Sequence, residues 1–575
     1  MTTRNFVMPL LAAIALGVQM LTAPPGEMRS PALAREAQKP LARSSYIVQA
    51  SSTAAALAAV HTVAGQVTHE LSVIDAVAAD LTDAQRAVLR ADPRLKVTPN
   101  GSANVAGSAA PVQPYVVKQT GANRLHAGGI TGRGVTIAFL DTGWWSQKAI
   151  QTDTAGRSAI LQGYDAIGNT VGVGAPADHY GHGTHVLSIA TNSALAQDGT
   201  YIGIAPDAGR VIVRAFDQNG AGTYANTIRG IGWILSNAKR YNIRIVNMSF
   251  GAPPQSFYWD DPLAQAVMKL WQAGIVVVAS AGNSGPTAQS IDVPGNVPYV
   301  ITVGAMTDNY TPTNTADDRL ASFSSTGPTY EGFVKPELVA PGGHVIAVLS
   351  GSSTIAKAHP SFLGTNGYLG SSYFYMSGTS MSAAVVSGVV ALMLQAQPYL
   401  TPDDVKCKLM SAARPAVDAS GQLAYSVFQQ GAGQIAAYDA VFNQGSGCAN
   451  VGLDIAADLA GTRHFGGPAN LAADGSYYIM DMNGLAWGQP AFADGYTWSN
   501  SYTWSRGYTW SQGYTWSQGY TWSRGYTWSK GNTWSEGYTW SNGYTWSQSM
   551  PWTAGTAFSQ GLAQPASINS WVDNE

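Results

Sequence analysis

The sequence predicts an α/β fold in which helices cover both faces of a parallel sheet, with a small α+β unit before it and a repetitive tail after it. Short, wholly apolar runs alternate with helical patterns in the middle of the chain, at residues 135–140, 211–213, 243–246 and 275–279. Strands that are apolar throughout are buried on both faces, which is typical of parallel sheets. The 575 residues exceed what one hydrophobic core usually organises, so several segments are expected.

The composition is that of a globular enzyme. Apolar residues make up 45% of the chain, charged residues 11%, and the formal net charge is -3. A disordered chain would be less apolar and more charged. Because no Lys/Arg-rich run is present, no nucleic-acid partner is expected.

The first 34 residues have the pattern of an export signal. Arg4 precedes an apolar stretch at residues 6–23, and Ala32-Leu33-Ala34 has the small-x-small form that signal peptidase cuts. An uncleaved membrane anchor stays open as the alternative, although Pro9 and Gly17 interrupt the stretch and no stop-transfer signal follows. We therefore expect a signal peptide at residues 1–34 and a secreted, extracellular protein.

A small α+β unit is predicted next. Residues 46–48 are β-like, an Ala-rich helical stretch follows, and Thr82 is placed to cap a helix over residues 83–91.

Three polar motifs then follow apolar elements. Asp141 comes directly after the predicted strand 135–140, where open α/β sheets place their sites, although an Asp in this position often only caps a turn. His182 stands between two glycines before a helical stretch, so its imidazole is a candidate base. The alternative is a metal site formed by His179, His182 and His185, but the Glu of a His-Glu-x-x-His motif is missing.

The third motif surrounds Ser380, which opens the long apolar stretch 383–396. A hydroxyl at a helix start is usually an N-cap, yet the free N–H groups and partial positive charge there also suit a nucleophile. Asn283 follows the predicted strand 275–279 and is either part of a turn or a donor to the same oxyanion.

The order Asp141, His182, Asn283, Ser380 resembles the subtilisin-like (subtilase) family of serine proteases. Residues 203–206, 246–251 and 335–342 are similar to further motifs of that family, and the likeness covers roughly residues 121–440. The resemblance implies a subtilisin-like fold in which Asp141, His182 and Ser380 are the catalytic triad, and Asn283 and the Ser380 N–H form the oxyanion hole. It also implies that a polypeptide substrate adds a strand beside Tyr224 or beside Ser249, Phe250 and Gly251.

The chain departs from the family pattern after Ser380 and after His185, where Ser382-Ala383-Ala384 and Leu187-Ser188 replace the usual residues. The chemistry implied needs no cofactor. Structural calcium is compatible with the family, but no loop matches its ligands residue by residue, so the metal is left unknown.

By the same resemblance the chain divides into an inhibitor-type propeptide at 35–105, a peptidase domain at 106–447 and a C-terminal region at 448–575. The propeptide would assist folding, block the cleft and be cut within residues 100–114; a permanently attached small domain is the alternative. Cys407 and Cys448 are compatible with one disulfide or with two free thiols.

The C-terminal region contains the clearest repeat. Nine hexads run from residue 495 to 548 and repeat the pattern Gly-Tyr-Thr-Trp-Ser-x with little change, and looser copies extend the repeat region to 560. An even period places Tyr and Trp on one face of an extended strand. Such an aromatic ladder is suited to binding polysaccharide, a cell surface or the enzyme's own core. A low-complexity tail without a specific partner stays open. The sequence as a whole predicts a secreted serine endopeptidase, and the alternative is an inactive binding or adhesion protein with the same fold.

Overall fold

A computed structural model describes residues 43–104, 115–174, 176–311, 314–364, 373–418, 422–471 and 475–479. The predicted signal peptide at 1–34 and the hexad repeats at 495–560 lie outside the described residues.

The strands are, in chain order, β1 (Ser44–Gln49), β2 (Gln66–Leu71), β3 (Ala76–Leu81), β4 (Lys96–Pro99), β5 (Ser102–Asn104), β6 (Thr136–Asp141), β7 (Ile160–Asp165), β8 (Thr170–Val171), β9 (Gly209–Arg214), β10 (Ala221–Thr223), β11 (Ile243–Met248), β12 (Val276–Ser280), β13 (Ile301–Thr307), β14 (Arg319–Leu320), β15 (Leu338–Pro341), β16 (Val345–Val348), β17 (Tyr373–Met376), β18 (Ala469–Leu471) and β19 (Tyr477–Ile479).

The helices are α1 (Thr53–Thr62), α2 (Asp83–Arg90), α3 (Val116–Gln119), α4 (Ala122–Ala127), α5 (Lys148–Gln151), α6 (His182–Thr191), α7 (Tyr224–Tyr241), α8 (Pro262–Gln272), α9 (Thr354–Ala358), α10 (Thr379–Ala396), α11 (Pro402–Ala412), α12 (Val427–Gln430), α13 (Ala437–Phe442) and α14 (Ile455–Leu459).

The predicted parallel sheet is confirmed. Within the described residues it has nine strands in the order β14-β13-β12-β11-β6-β9-β7-β8, with β15 beside β13. Only β14 and β8 pair antiparallel with their neighbours. Strands β6, β12 and β13 are buried along their whole length, as their apolar sequences predict. The parallel strands end along one edge, and this edge positions the polar motifs.

Helix α10 is a long apolar helix that runs through the core. It packs against α6 and against the central strands, and its first sixteen residues, from Thr379 to Leu394, are all buried. Among the described residues it is the one helix long and apolar enough to span a membrane, but 89% of it is buried within the protein. Its hydrophobicity is therefore explained by the core.

The region before the main sheet folds as a separate antiparallel sheet in the order β2-β3-β1-β4, with α1 and α2. Thr82 caps α2 as the sequence predicts: its hydroxyl accepts from the Gln85 N–H at 3.3 Å, and the Gln85 side chain accepts from the Thr82 N–H at 2.8 Å. This small α+β unit packs on α7 and α8 through β2 and the short 3-10 helix Ser72–Ile74.

The chain beyond α13 returns to the core. A disulfide joins Cys407 in α11 to Cys448. Farther on, the Asp458 carboxylate accepts hydrogen bonds from the hydroxyls of Tyr258 (2.6 Å) and Tyr299 (3.0 Å). The first part of the predicted C-terminal region therefore packs against the sheet domain.

Lys335, Glu337 and Lys406 form a buried cluster of charged side chains. The ammonium groups of Lys335 and Lys406 lie 2.7 and 2.8 Å from the Glu337 carboxylate, and all three side chains are 1% exposed. Lys406 also donates to Asn450 at 3.1 Å. Pairing makes these buried charges tolerable, and it links residues 335–337 to the returning chain.

Candidate active site

Asp141 and His182 form a buried hydrogen-bonded pair at the carboxyl edge of the sheet. Asp141 is the last residue of β6 and His182 the first of α6. The His182 Nδ1 atom lies 2.8 Å from Asp141 Oδ1, and both side chains are at most 2% exposed. Among the described residues, His182 Nε2 has no hydrogen-bond partner. The imidazole is thus oriented by the carboxylate and keeps its second nitrogen free.

The start of α6 is held in place by backbone and side-chain contacts. Gly181 has a φ of 111°, a conformation that favours glycine. The Asp178 carboxylate accepts from the Gly181 N–H at 2.7 Å and from the Thr184 N–H and hydroxyl at 2.8 and 2.6 Å. The Gly183 N–H donates to Thr142 Oγ1 at 2.8 Å, which connects the helix start to the residue after Asp141. Sequence reasoning missed this role of Asp178.

Ser380 lies in the first turn of α10 and contacts the segment after β11. Its hydroxyl donates to the Ser249 carbonyl at 3.0 Å, and the Ser249 hydroxyl donates to the Ser380 carbonyl at 2.9 Å. The Asn247 amide donates to Ser249 Oγ at 2.8 Å, and Ser387 donates to Asn247 Oδ1 at 2.8 Å. A buried polar network therefore fixes the backbone on which Ser380 stands.

Asn283 is anchored through its carbonyl oxygen. Its Oδ1 atom accepts from the Thr379 N–H at 3.0 Å and from the Thr379 hydroxyl at 2.9 Å. The Nδ2 amide is buried and has no partner among the described residues. A buried donor without a partner is uncommon and costly in a folded protein. The amide beside the start of α10 is thus available to an oxygen anion near Ser380.

The three histidines of the alternative metal site do not form a ligand set. His185 is fully buried, its Nε2 atom lies 3.0 Å from the Phe374 carbonyl, and burial lowers its pKa to about 3. His179 is exposed, and His182 Nδ1 is engaged by Asp141. No group of His, Cys, Asp or Glu side chains suited to a metal ion is found in the described part of the chain.

The segments predicted to bind substrate border this site. Strand β10 pairs antiparallel with β5, so that residues 102–104 of the chain itself lie along residues 221–223. Tyr224 follows β10, but its side chain is buried and its hydroxyl donates to Asp261 at 3.1 Å. Ser249, Phe250 and Gly251 are also buried. The Tyr224 hydroxyl is therefore engaged within the protein.

An Asp–His pair, a serine at a helix start and an amide donor on the carboxyl edge of a parallel sheet define a serine hydrolase of the subtilisin type. The sequence profile of the subtilase family matches residues 132–434, more than half of the chain. The chain belongs to this family of serine proteases.

Named relatives agree with that assignment. Serine protease AprX of Bacillus subtilis is 41% identical over 286 residues, which are 48% of this chain and 60% of AprX. A thermostable alkaline protease of Halalkalibacterium halodurans is 30% identical over 348 residues, 60% of this chain and 80% of that protein. Subtilisin E of Bacillus subtilis is 30% identical over 351 residues, 61% of this chain and 78% of that protein.

A solved structure shows the same fold. Fervidolysin from Fervidobacterium pennivorans, described as a keratinolytic enzyme related to subtilisin, superposes with a TM-score of 0.55 at 23% identity. The match covers 70% of this chain and 62% of fervidolysin. This chain thus spans less than two thirds of fervidolysin and of AprX.

Proposed function

We propose that this protein is a secreted serine endopeptidase that is made as a precursor and matured by removal of the α+β unit. The observation that carries the proposal is the 2.8 Å bond between Asp141 and His182, which leaves Nε2 of His182 without a partner among the described residues. Helix α6, which begins at His182, packs against α10, which carries Ser380 in its first turn. Such a pair has the orientation that a general base needs.

In the proposed mechanism the Ser380 hydroxyl rotates from the Ser249 carbonyl to donate to Nε2 of His182 and attacks the scissile carbonyl carbon. His182 takes the hydroxyl proton and returns it to the leaving amine, so that the peptide bond breaks and an acyl-enzyme forms. Water then attacks the acyl carbon: His182 takes a proton from the water and returns it to the Ser380 oxygen, which restores the free enzyme. Asp141 keeps the imidazole in the correct tautomer and stabilises the imidazolium.

The oxyanion of each tetrahedral intermediate is stabilised by two donors. One is the Nδ2 amide of Asn283, which is buried and has no other partner in the described chain. The other is the Ser380 backbone N–H in the first turn of α10, where intrahelical carbonyl partners are absent. Donors held in place before the reaction stabilise developing charge without reorganisation.

Polypeptide substrates fit the strand-addition geometry at β10. The antiparallel pairing of β5 with β10 shows that an extended segment is accommodated along residues 221–223. Recognition through backbone hydrogen bonds is largely independent of sequence. An unfolded or extended stretch of protein is therefore the expected substrate.

The α+β unit has the contacts expected of an attached inhibitor. His69 lies 2.9 Å from Asn226 Oδ1 in α7, Gln49 donates to Gln265 in α8 at 2.6 Å, and Lys96 pairs with Asp260 at 2.6 Å. From β4 the chain runs directly into β5 beside β10. Cleavage in the part of residues 100–114 that follows β5 would separate both the unit and this strand from the sheet domain.

Secretion is supported by the N-terminal pattern and by the disulfide, since disulfides persist mainly in oxidising compartments. The Tyr/Trp hexads are proposed to bind polysaccharide or a cell surface. The alternative function is an inactive binding or adhesion protein on the same fold, with the tail as its active part.

The test is time-resolved intact mass of the exported precursor, wild type beside Ser380→Ala. We expect cleavage within residues 100–114 only in the wild type, because self-processing needs the nucleophile. Ser382→Ala is the matched control, since its hydroxyl donates to the Ala340 carbonyl at 3.0 Å, away from the Asp–His pair, and it should be processed normally.

Equal cleavage of wild type and Ser380→Ala would mean that an outside protease matures the chain. Absence of cleavage from both, together with no reaction of purified, propeptide-free protein with a serine-directed phosphonylating reagent, would favour the binding protein.

A further inference from the structure

Residues 291–293 join the two segments that flank Ser380 and Asn283. The Asp292 N–H donates to the Ala281 carbonyl at 3.0 Å, and Ala252 and Val293 exchange hydrogen bonds of 3.1 and 2.8 Å. Residues 291–293 therefore close the gap between the chain after β11 and the chain after β12.

The Asp292 carboxylate occupies the space that two glycines leave in this gap. A Cβ atom on Gly251 would lie 2.5 Å from Asp292 Oδ2, and a Cβ atom on Gly282 would lie 2.6 Å from it. The residue itself is 4% exposed. No side chain larger than hydrogen fits at either position while the carboxylate stays where it is.

This carboxylate lies beside the segment that carries the proposed oxyanion donor and beside the segment that contacts the nucleophile. Gly282 precedes Asn283, the proposed oxyanion donor, and Gly251 lies two residues after Ser249, whose carbonyl accepts from the Ser380 hydroxyl. The residue on the acyl side of the scissile bond, P1, is attached directly to the attacked carbon. Its side chain consequently enters between the segments that end at Gly251 and Asn283.

We infer that Asp292 is a specificity-determining residue that makes Lys and Arg the preferred P1 side chains; this inference rests on the proposed endopeptidase function. A cation on P1 pairs with the carboxylate through charge-assisted hydrogen bonds. A neutral P1 side chain cannot form this ion pair, and an acidic P1 side chain is repelled by the carboxylate. In serine proteases of another fold, an acidic residue in the pocket that receives P1 selects Lys and Arg.

A second buried acidic residue, Asp261, lies near the same Tyr224 side chain as Asp292. The nearby Tyr224 is buried, and burial together with the charges of Asp261 and Asp292 raises its pKa well above the ordinary value. A P1 cation is therefore complementary to this part of the cleft.

The stretch in which maturation is proposed, residues 100–114, contains neither Lys nor Arg. Self-cleavage there would use a P1 residue that the pocket does not favour. A tethered segment is present at high effective concentration, which offsets poor selectivity. We therefore expect maturation to be slow compared with the turnover of basic substrates.

The experiment measures kcat/KM of the mature enzyme for four peptides that differ only at P1: Lys, Arg, Met and Glu. Met approximates the length of Lys without its charge. We expect the wild type to prefer Lys to Met by about tenfold or more, the range of a hydrogen bond to a charged group. In Asp292→Asn the Lys-to-Met ratio should fall by about tenfold or more for the same reason.

Two further variants distinguish the effect of the charge at position 292 from the effect of a structural change. Asp292→Glu retains the charge and should keep a Lys-to-Met ratio above one. Asp439→Asn removes a carboxylate of the surface pair with Arg414 and should keep the wild-type ratio. Active-site titration with an uncharged phosphonylating reagent counts the competent molecules in each preparation.

A wild-type ratio near one, or an unchanged ratio in Asp292→Asn, overturns the role of Asp292. Hydrolysis of all four peptides without preference contradicts that role alone. Failure of the wild type to hydrolyse any of them or to be phosphonylated contradicts the proposed function and the inference together.

Discussion

The Asn283 side chain is held by Thr379, the residue immediately before Ser380. Asn283 Oδ1 accepts both the N–H and the hydroxyl of Thr379, at 3.0 and 2.9 Å, and the Thr379 hydroxyl oxygen also accepts from the Gly282 N–H at 3.2 Å. The amide donor and the nucleophile are thus fixed relative to each other by one residue.

We predict that Asn283→Ala lowers kcat about a hundredfold to a thousandfold with little change in KM, the range known for loss of one oxyanion donor in a subtilisin. Thr379→Val should lower kcat less, by about tenfold, because the backbone N–H still holds Asn283 after one neutral hydrogen bond is lost. Steady-state kinetics on one peptide measure both effects.

Thr379→Ser is the matched control, since it restores the hydroxyl and should recover most of the wild-type kcat. Equal losses in Thr379→Ser and Thr379→Val would show that the threonine acts through packing, and the positioning role would be wrong.

The buried Glu331 carboxyl predicts a pH-dependent stability. Burial raises its pKa to about 7, although the Tyr258 N–H donates to Oε1 at 2.8 Å. Because the folded state keeps a proton that the unfolded chain releases, the free energy of unfolding should fall as pH rises from about 4.5 to about 7.

Glu331→Gln cannot ionise and should lose this part of the pH dependence. Between pH 5 and pH 8 its free energy of unfolding should rise relative to that of the parent by at most about 3 kcal/mol, since each pKa unit corresponds to about 1.4 kcal/mol. Urea unfolding of both proteins in a Ser380→Ala background avoids autolysis. The exposed Glu70→Gln is the control, and parallel pH profiles for Glu331→Gln and its parent would disprove the prediction.

The disulfide should contribute substantially to stability. It closes a loop with a sequence separation of 41 between Cys407 and Cys448, and a cross-link of that size stabilises a protein by about 3–4 kcal/mol through the unfolded state. The double variant Cys407→Ala/Cys448→Ala should therefore unfold at lower urea than its Ser380→Ala parent. Reduction of the parent should reproduce the shift, and identical urea midpoints would exclude a stabilising bridge.

Two deletions should separate the folded part of the C-terminal region from the repeats. Removal of residues 481–575 is expected to leave peptide hydrolysis intact and to abolish binding to insoluble glycan. Removal of residues 450–575 should in addition destabilise the protein, because it takes away Asp458 and leaves the buried hydroxyls of Tyr258 and Tyr299 without their acceptor.

Activity assays, pull-down with insoluble glycan and thermal unfolding of both truncated proteins measure these effects. Loss of hydrolysis in the shorter deletion would show that the hexads are needed for the fold, and unchanged glycan binding would exclude their proposed role.

Much of the fold was predictable because buried strands appear in the sequence as short runs of apolar residues. The apolar runs at 135–140 and 275–279 correspond to β6 and β12 with a shift of one residue, and the Thr82 cap is where its sequence signature places it. Asp141 directly after one run and Asn283 four residues after the other were informative positions, since the ends of parallel strands meet at one edge of the sheet.

Other features left no local pattern. Asp458 bonds to Tyr258 across 200 residues, and residues 448–471 read only as a change of composition. Asp292 lies in an ordinary loop sequence, and its proximity to Gly251 and Gly282 follows from how three separate segments pack. The sequence was compatible with a disulfide between Cys407 and Cys448 or with two free thiols. The fold places their Cα atoms 5.3 Å apart, which is a distance that a disulfide can bridge.

The sequence by itself determined the class of fold, the order of the polar motifs and the family, because apolar periodicity and short motifs are local properties of the chain. Only the tertiary structure decided that Nδ1 of His182 is bound by Asp141 and that the Nδ2 amide of Asn283 has no partner among the described residues. It also decided that the Asp292 carboxylate lies beside Gly282. Those outcomes depend on hydrogen bonds and packing between segments far apart in sequence, where each partner is specified by the folded arrangement and not by its neighbours along the chain.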